Sequence, residues 1–213
     1  MLKFKPGFLR AYFVCGSQDL VPNDNLYRVV GQALEAGITA YQFRDKGTAS
    51  QFNEDERFKV ALRLRKLCAE YQVPFIVDDD VKLAVALRAD GIHVGQSDEK
   101  IEQVISEVGN EMFIGLSCSN ETELKDAEQV RGIAYYGCGP VYTTVSKADA
   151  SPVIGTNGLS RLVKLAHRPV VAIGGITTKT AKKVRQTGAK GAAVISEIAQ
   201  SPDIFLTVRQ LKG

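Results

Sequence analysis

The segment QFRDK, residues 42–46, places an amide, a guanidinium and an ammonium at every second position. Alternate residues of an extended chain point the same way. Gln42, Arg44 and Lys46 therefore share one face, while Phe43 and Asp45 take the other. A planar fork beside a point charge is an anion grip. A second stretch, FIVDDDVKLAV (75–85), carries an apolar strand pattern straight into Asp78, Asp79 and Asp80. Three adjacent carboxylates repel, so each needs its own reason. Asp80 stands just before a helical pattern, where Asp is a favoured N-cap. Asp79, with Asp98 of DGIHVGQSD, supplies the one or two carboxylates that Mg²⁺ takes before filling its shell with water and substrate phosphate.

Two further stretches read as a phosphate site. AIGGITTKT sets Gly174 and Gly175 at a strand end, and VISEIAQ does the same for Ser196. Glycine lets backbone N–H groups approach phosphate closely. The segment GPVYTTVSKADASPVIGTNG (139–158) is long, polar and expected to act as a functional loop, with Thr143, Thr144, Ser146 and Lys147 in it. His93, inside a strand, and His167, near a helix end, read as packed, hydrogen-bonded histidines. Cys15, Cys68, Cys118 and Cys138 show no metal spacing and read as reduced, mostly packed thiols.

The elements that must position these groups repeat along the chain. Strand patterns occur at 11–16, 39–44, 74–79, 91–95, 112–118, 133–141, 169–175 and 191–196. Helix-length segments separate them, such as 58–72 with Val60, Leu64, Leu67 and Tyr71. Eight strand–helix units predict a parallel sheet closed by right-handed crossovers, a single α/β domain over 1–213 folded as a (β/α)8 TIM barrel. An open doubly wound sheet is the alternative, but its dinucleotide fingerprint is missing, and no phosphate loop ending in Gly-Lys-Ser/Thr occurs. In such barrels strand C-termini carry chemistry and N-termini carry stability. Asp78, Asp79 and Asp98 fall on the first face and Asp90 on the second, and Asp79 and Asp98, from neighbouring strands, are expected to meet. The net charge of +3, with scattered basic residues, gives no ground for a nucleic-acid partner. No run approaches a membrane span or a signal-peptide core, so a cytoplasmic protein is expected.

Taken in order, these motifs resemble the thiamine-phosphate synthase family. QFRDK is similar to its Gln-x-Arg-x-Lys signature, and DGIHVGQSD to its Asp-Gly-x-His-x-Gly-Gln motif with the metal aspartate following. GLSCSN and GPVYTTVSK are similar to its Gly-x-Ser segment and threonine–lysine loop, and IGGI and VIS to its thiazole-phosphate loops. The resemblance implies joining of two small phosphorylated substrates, aminomethylpyrimidine diphosphate and hydroxyethylthiazole phosphate, to give thiamine phosphate and pyrophosphate. It implies Mg²⁺ on Asp79 and Asp98. Gln42, Arg44, Lys46, Ser117 and Lys147 would hold the pyrimidine diphosphate, with Phe43, Asp45 and Asp78 counted in the same site. Thr144, Val145, Ser146, Gly175, Ile195 and Ser196 would hold the thiazole phosphate. Arg44, Lys147 and Ser117 would be the catalytic groups of a reaction in which the carbon–oxygen bond breaks first.

Two positions depart from the family. Ser146 stands where Thr is usual, and keeps the hydroxyl. Asp78 stands where Asn is usual, an acceptor-only group facing an anion. It is expected to turn toward Arg44 or Lys46, to stay protonated, or to recruit a second Mg²⁺, the last being favoured because pyrophosphate bridges two ions. A thiazole tautomerase shares the barrel but resembles a version without the diphosphate grip, against which the intact QFRDK stands. A non-catalytic sensor of thiamine phosphate is the other reading, separated by turnover. The sequence leaves the oligomeric state open, a homodimer included.

Overall fold

A computed structural model describes residues 1–146 and 151–213. Eight parallel strands close a barrel in chain order: β1 (Ala11–Cys15), β2 (Ala40–Phe43), β3 (Phe75–Asp78), β4 (Gly91–Val94), β5 (Phe113–Cys118), β6 (Ile133–Cys138), β7 (Val170–Ile173) and β8 (Gly191–Val194). The expected (β/α)8 barrel is the observed fold, and the open-sheet alternative falls with the β1–β8 pairing, where Tyr12 sits opposite Ala193. Strands bury both faces, as the sheet of such a barrel must.

The helices packed outside are α1 (Leu26–Glu35), α2 (Glu54–Glu70), α3 (Val81–Leu87), α4 (Ile101–Val108), α5 (Glu121–Gln129), α6 (Gly155–Leu165), α7 (Thr178–Gln186), α8 (Ser196–Ala199) and α9 (Ile204–Lys212). Local chemistry starts several of them. Asn25, Asn53, Asp80, Asn120 and Asp203 each accept a backbone N–H in the first turn of α1, α2, α3, α5 and α9. A cap of this kind contributes about 1 kcal/mol. No helix among the described residues is long and apolar enough to cross a membrane. The four cysteines are free and buried.

Two apolar layers hold the barrel. One lies between sheet and helices, including Phe13, Tyr41, Phe43, Leu64 and Phe75. The other fills the barrel's lower interior with Leu9, Tyr12, Ile76, Phe113, Tyr135 and Val171. The N-terminal residues close that end. Phe4 stacks on Tyr135 with ring centroids 5.6 Å apart, and one turn of 3-10 helix, Pro6–Leu9, seats Leu9 in the same cluster. With the bottom plugged by aromatics, the pocket among the described residues that reaches the barrel interior lies at the C-terminal end of the strands.

Asp90 belongs to this bottom end, as expected. Its Oδ1 accepts from Leu2 N at 2.6 Å and its Oδ2 from Phe75 N at 3.0 Å. An asparagine keeps one acceptor and turns an NH₂ toward an N–H donor, an arrangement that costs about 1–3 kcal/mol when buried. Asp90→Asn is therefore expected to lower Tm by several degrees and to leave kcat within about twofold. A thermal melt beside steady-state kinetics checks it; a large loss of kcat in protein still folded contradicts the assignment of this end to stability.

Candidate active site

The mouth of the barrel gathers most of the residues singled out in the sequence. Gln42, Arg44, Lys46, Asp78, Asp98 and Ser117 line one part of it, and Thr144, Ser146, Gly175, Ile195 and Ser196 another. Strand parity explains the first group. Gln42 ends the inward row of β2, and the chain beyond Phe43 keeps the alternation through Arg44 and Lys46. The same parity turns the side chains of Phe43 and Asp45, counted with the diphosphate grip, away from the mouth. Phe43 is fully buried, with its ring 6.2 Å from that of Phe75 in the outer layer. Asp45 is buried away from the mouth, where its carboxylate accepts from Ser17 N at 2.6 Å and from the Ser50 hydroxyl. It ties the β1–α1 connection to the loop after β2.

The three aspartates have three different partners. Asp78 Oδ2 lies 3.1 Å from Lys46 Nζ and 3.4 Å from Arg44 Nε. Asp79 Oδ2 is in direct contact with the same Lys46 ammonium. Asp80 caps α3 through Leu83 N and pairs with Arg57 Nη1 at 2.7 Å. Of the routes open to Asp78, the turn toward Arg44 and Lys46 is present without any bound ligand. Burial pushes the Asp78 and Asp79 carboxyls above their ordinary range, with Lys46 pulling both back. For Lys46 burial opposes the charge, but the two carboxylates outweigh it and raise its pKa. Asp79 holds a left-handed backbone, φ 52°, a conformation Asp and Asn tolerate better than most residues.

Asp98 is held over the end of β4 by its own turn. Its Oδ2 accepts from Gly95 N at 2.7 Å, and its charge adds to the upward push on both Asp78 and Asp79. Among the described residues no three His, Cys, Asp or Glu side chains converge as a metal cluster. The two carboxylates expected from sequence, Asp79 and Asp98, follow adjacent strands β3 and β4. That set fits a hard cation that draws its other ligands from water and phosphate, and the Lys46 ammonium shows that a cation is accommodated against Asp79.

Deeper in the mouth, Gln42 is 4% exposed and its Nε2 has no hydrogen-bond partner among the described residues. A buried amide donor left unpaired costs about 1–3 kcal/mol. Ser117 Oγ lies 3.0 Å from His93 Nε2, His93 Nδ1 lies 3.1 Å from Tyr135 Oη, and Tyr135 Oη lies 2.8 Å from Tyr12 Oη. This chain runs from the mouth into the plugged interior. Gly115 makes room for it: a Cβ there would stand 2.2 Å from the Tyr135 ring. His93 is hydrogen-bonded as the sequence led one to expect, yet it also lines the mouth. The inward parity it shares with Gly91 and Gly95 is the signal that places it there. His167 is exposed and pairs with Glu128, outside the mouth.

On the opposite side, Val141 N and Tyr142 N donate to Ile173 O and Gly174 O, zipping the loop after β6 onto the end of β7. Gly175 has φ 61°, and a Cβ there would meet Thr143 O at 2.4 Å. This glycine serves loop packing as well as any approach to phosphate. Thr144 and Ser146 line the wall, but Val145 is 96% exposed and points away from it. Its side chain therefore adds nothing to that wall. Lys147 lies outside the described residues. Glu197, not singled out by sequence, also lines the mouth, and its Oε1 accepts from Thr178 N at 2.7 Å at the start of α7.

A parallel barrel whose strand ends join paired carboxylates to cations defines a (β/α)8 barrel with an anion-binding mouth. Residues 11–198 match the family described as thiamine monophosphate synthase. Thiamine-phosphate synthase of Lactiplantibacillus plantarum is 57% identical over 210 residues, 99% of this chain and 96% of that protein. The protein of the same description from Levilactobacillus brevis is 53% identical over 94% of this chain and 92% of its own length. The solved structure of thiamine phosphate pyrophosphorylase from Pyrococcus furiosus superimposes with a TM-score of 0.84 at 36% identity, covering 97% of this chain and 95% of that one. A 3-hexulose-6-phosphate synthase, 16% identical with a TM-score of 0.67, shares the fold alone. The chain belongs to the thiamine monophosphate synthase family, and its activity is that of thiamine-phosphate synthase, a transferase.

Proposed function

We propose that the mouth holds the pyrimidine diphosphate on Gln42, Arg44, Lys46 and Ser117, and the thiazole phosphate on Thr144, Ser146, Gly175, Ile195 and Ser196. The buried, unpartnered Gln42 amide is the observation that carries the first assignment, since an acceptor on a ligand in the mouth would satisfy it. Asp79 and Asp98 would hold Mg²⁺, which neutralises charge on the departing pyrophosphate. The bond from the pyrimidine methylene carbon to diphosphate oxygen breaks with both electrons going to oxygen. The thiazole nitrogen then gives its lone pair to the methylene carbon, and no general base is needed. What the protein supplies is stabilisation of the leaving anion by fixed donors. Arg44 is one such donor, and the Ser117 hydroxyl, oriented by His93, is another. Lys147, outside the described residues, is the third by resemblance to the family's loop. The reaction draws on small phosphorylated substrates, in keeping with a family of biosynthetic enzymes and a cytoplasmic setting.

Product is expected only when both phosphorylated substrates and Mg²⁺ are present. Gln42→Met sharpens the test. It should raise KM for the pyrimidine diphosphate about tenfold, the worth of one good hydrogen bond to a ligand, and leave KM for the thiazole phosphate unchanged. Because the variant removes an unsatisfied donor, its Tm should hold or rise. An equal rise in both KM values, or none, overturns the placement.

A further inference from the structure

Lys46 occupies a position that the proposed metal also needs. Its ammonium contacts Asp79 Oδ2 and lies 3.1 Å from Asp78 Oδ2. Asp79 is one of the two carboxylates assigned to the metal, so this inference rests on that assignment. A divalent ion on Asp79 and an ammonium on the same oxygen repel at close range and compete for the same lone pairs. The lysine is free to leave. It lies in the loop beyond the last residue of β2, its side chain is 36% exposed, and Gly47, with φ 84°, follows it. Its four-carbon stem carries three rotatable donors. Arg44 Nε, 3.4 Å from Asp78 Oδ2, remains to balance that carboxylate.

We infer that Lys46 is an exchangeable internal cation: it neutralises Asp78 and Asp79 until the metal arrives, and the metal displaces it onto the diphosphate. One ammonium thus serves two anions in turn. Binding of the metal and of a diphosphate group is consequently synergistic. Metal entry is opposed while Lys46 has only the aspartates to pair with, and this opposition is lifted once a diphosphate offers it new oxygens. By linkage the diphosphate gains affinity from the metal by the same factor.

The experiment is direct Mn²⁺ binding, by calorimetry or by the loss of the free-ion paramagnetic resonance signal, to the folded full chain without substrates. The proteins compared are wild type, Lys46→Met, Lys46→Gln and Asp79→Asn, with thermal melts as the folding control. Both Lys46 variants are expected to bind Mn²⁺ at least about tenfold more tightly than wild type, because a competing charge a few ångströms away is gone. Asp79→Asn is expected to bind it more weakly. Repeated with saturating inorganic pyrophosphate, and corrected for the ion–pyrophosphate complex formed without protein, the titration should show enhanced Mn²⁺ affinity in wild type and a smaller enhancement in both Lys46 variants. Unchanged or weaker Mn²⁺ binding in the Lys46 variants, with Asp79→Asn still weakened, overturns the exchange and keeps the metal site. Unchanged binding in Asp79→Asn overturns the metal assignment, and the exchange with it.

Discussion

Arg44→Ala is expected to lower kcat about 10²–10³-fold, the loss typical when a preorganised donor to a developing anion is removed. The charge on the leaving pyrophosphate grows as the carbon–oxygen bond breaks, so the contact strengthens toward the transition state, and the loss falls on kcat more than on KM. Arg44→Lys should recover only part of it, since a point charge cannot present two parallel N–H groups. A second consequence follows from the pairing with Asp78, which is buried between Arg44 and Lys46. With the guanidinium gone, that carboxylate is left half compensated. The double variant Arg44→Ala, Asp78→Asn should therefore be more stable than Arg44→Ala alone. Steady-state kinetics on the single variants and melts on all of them check the set. A pure KM effect would remove Arg44 from the list of groups that stabilise the leaving anion.

Asp79→Asn and Asp98→Asn should each lower turnover about 10²-fold or more at moderate Mg²⁺, with partial rescue at high Mg²⁺. On the proposed assignment, each removes one of the two carboxylates that would hold the ion. Asn is the informative substitute at both positions. At 79 it tolerates the left-handed backbone, so lost turnover is not confounded by strain. At 98 its amide oxygen can still accept from Gly95 N and hold the turn. Rate measured against Mg²⁺ for wild type and both variants gives the result. If excess metal rescues neither, the carboxylates act on something other than a metal, and Lys46 is the first partner to examine.

Much of this site is legible in one dimension because its determinants are local. The inward row Gln42, Arg44, Lys46 follows from a period of two, which holds across a strand and a few residues beyond. The N-cap role of Asp80 follows from its place before an apolar helical run, and the sorting of Asp90 from Asp98 follows from which end of β4 each stands at. All eight strands lie where the apolar and β-branched runs put them, with ends shifted by at most three residues. The alternation also contained answers that a roster of motif residues obscured. It turns Phe43, Asp45 and Val145 away from the mouth, and it turns His93 into it.

Other features depend on contacts between segments far apart in the chain, and only the closed barrel decides them. Asp78 is neutralised by residues more than thirty positions earlier, because β2 and β3 lie side by side with Phe43 opposite Val77. The chain from Ser117 through His93 to Tyr135 and Tyr12 crosses four strands, and it fits because Gly115 leaves the space. Glu197, in α8, meets the start of α7 by accepting from Thr178 N, nineteen positions earlier in the chain. A residue's side of a strand is set by the backbone it belongs to, and composition and spacing therefore determine it. Which cation faces which carboxylate is set by strand order and register, and those exist only once the strands have paired.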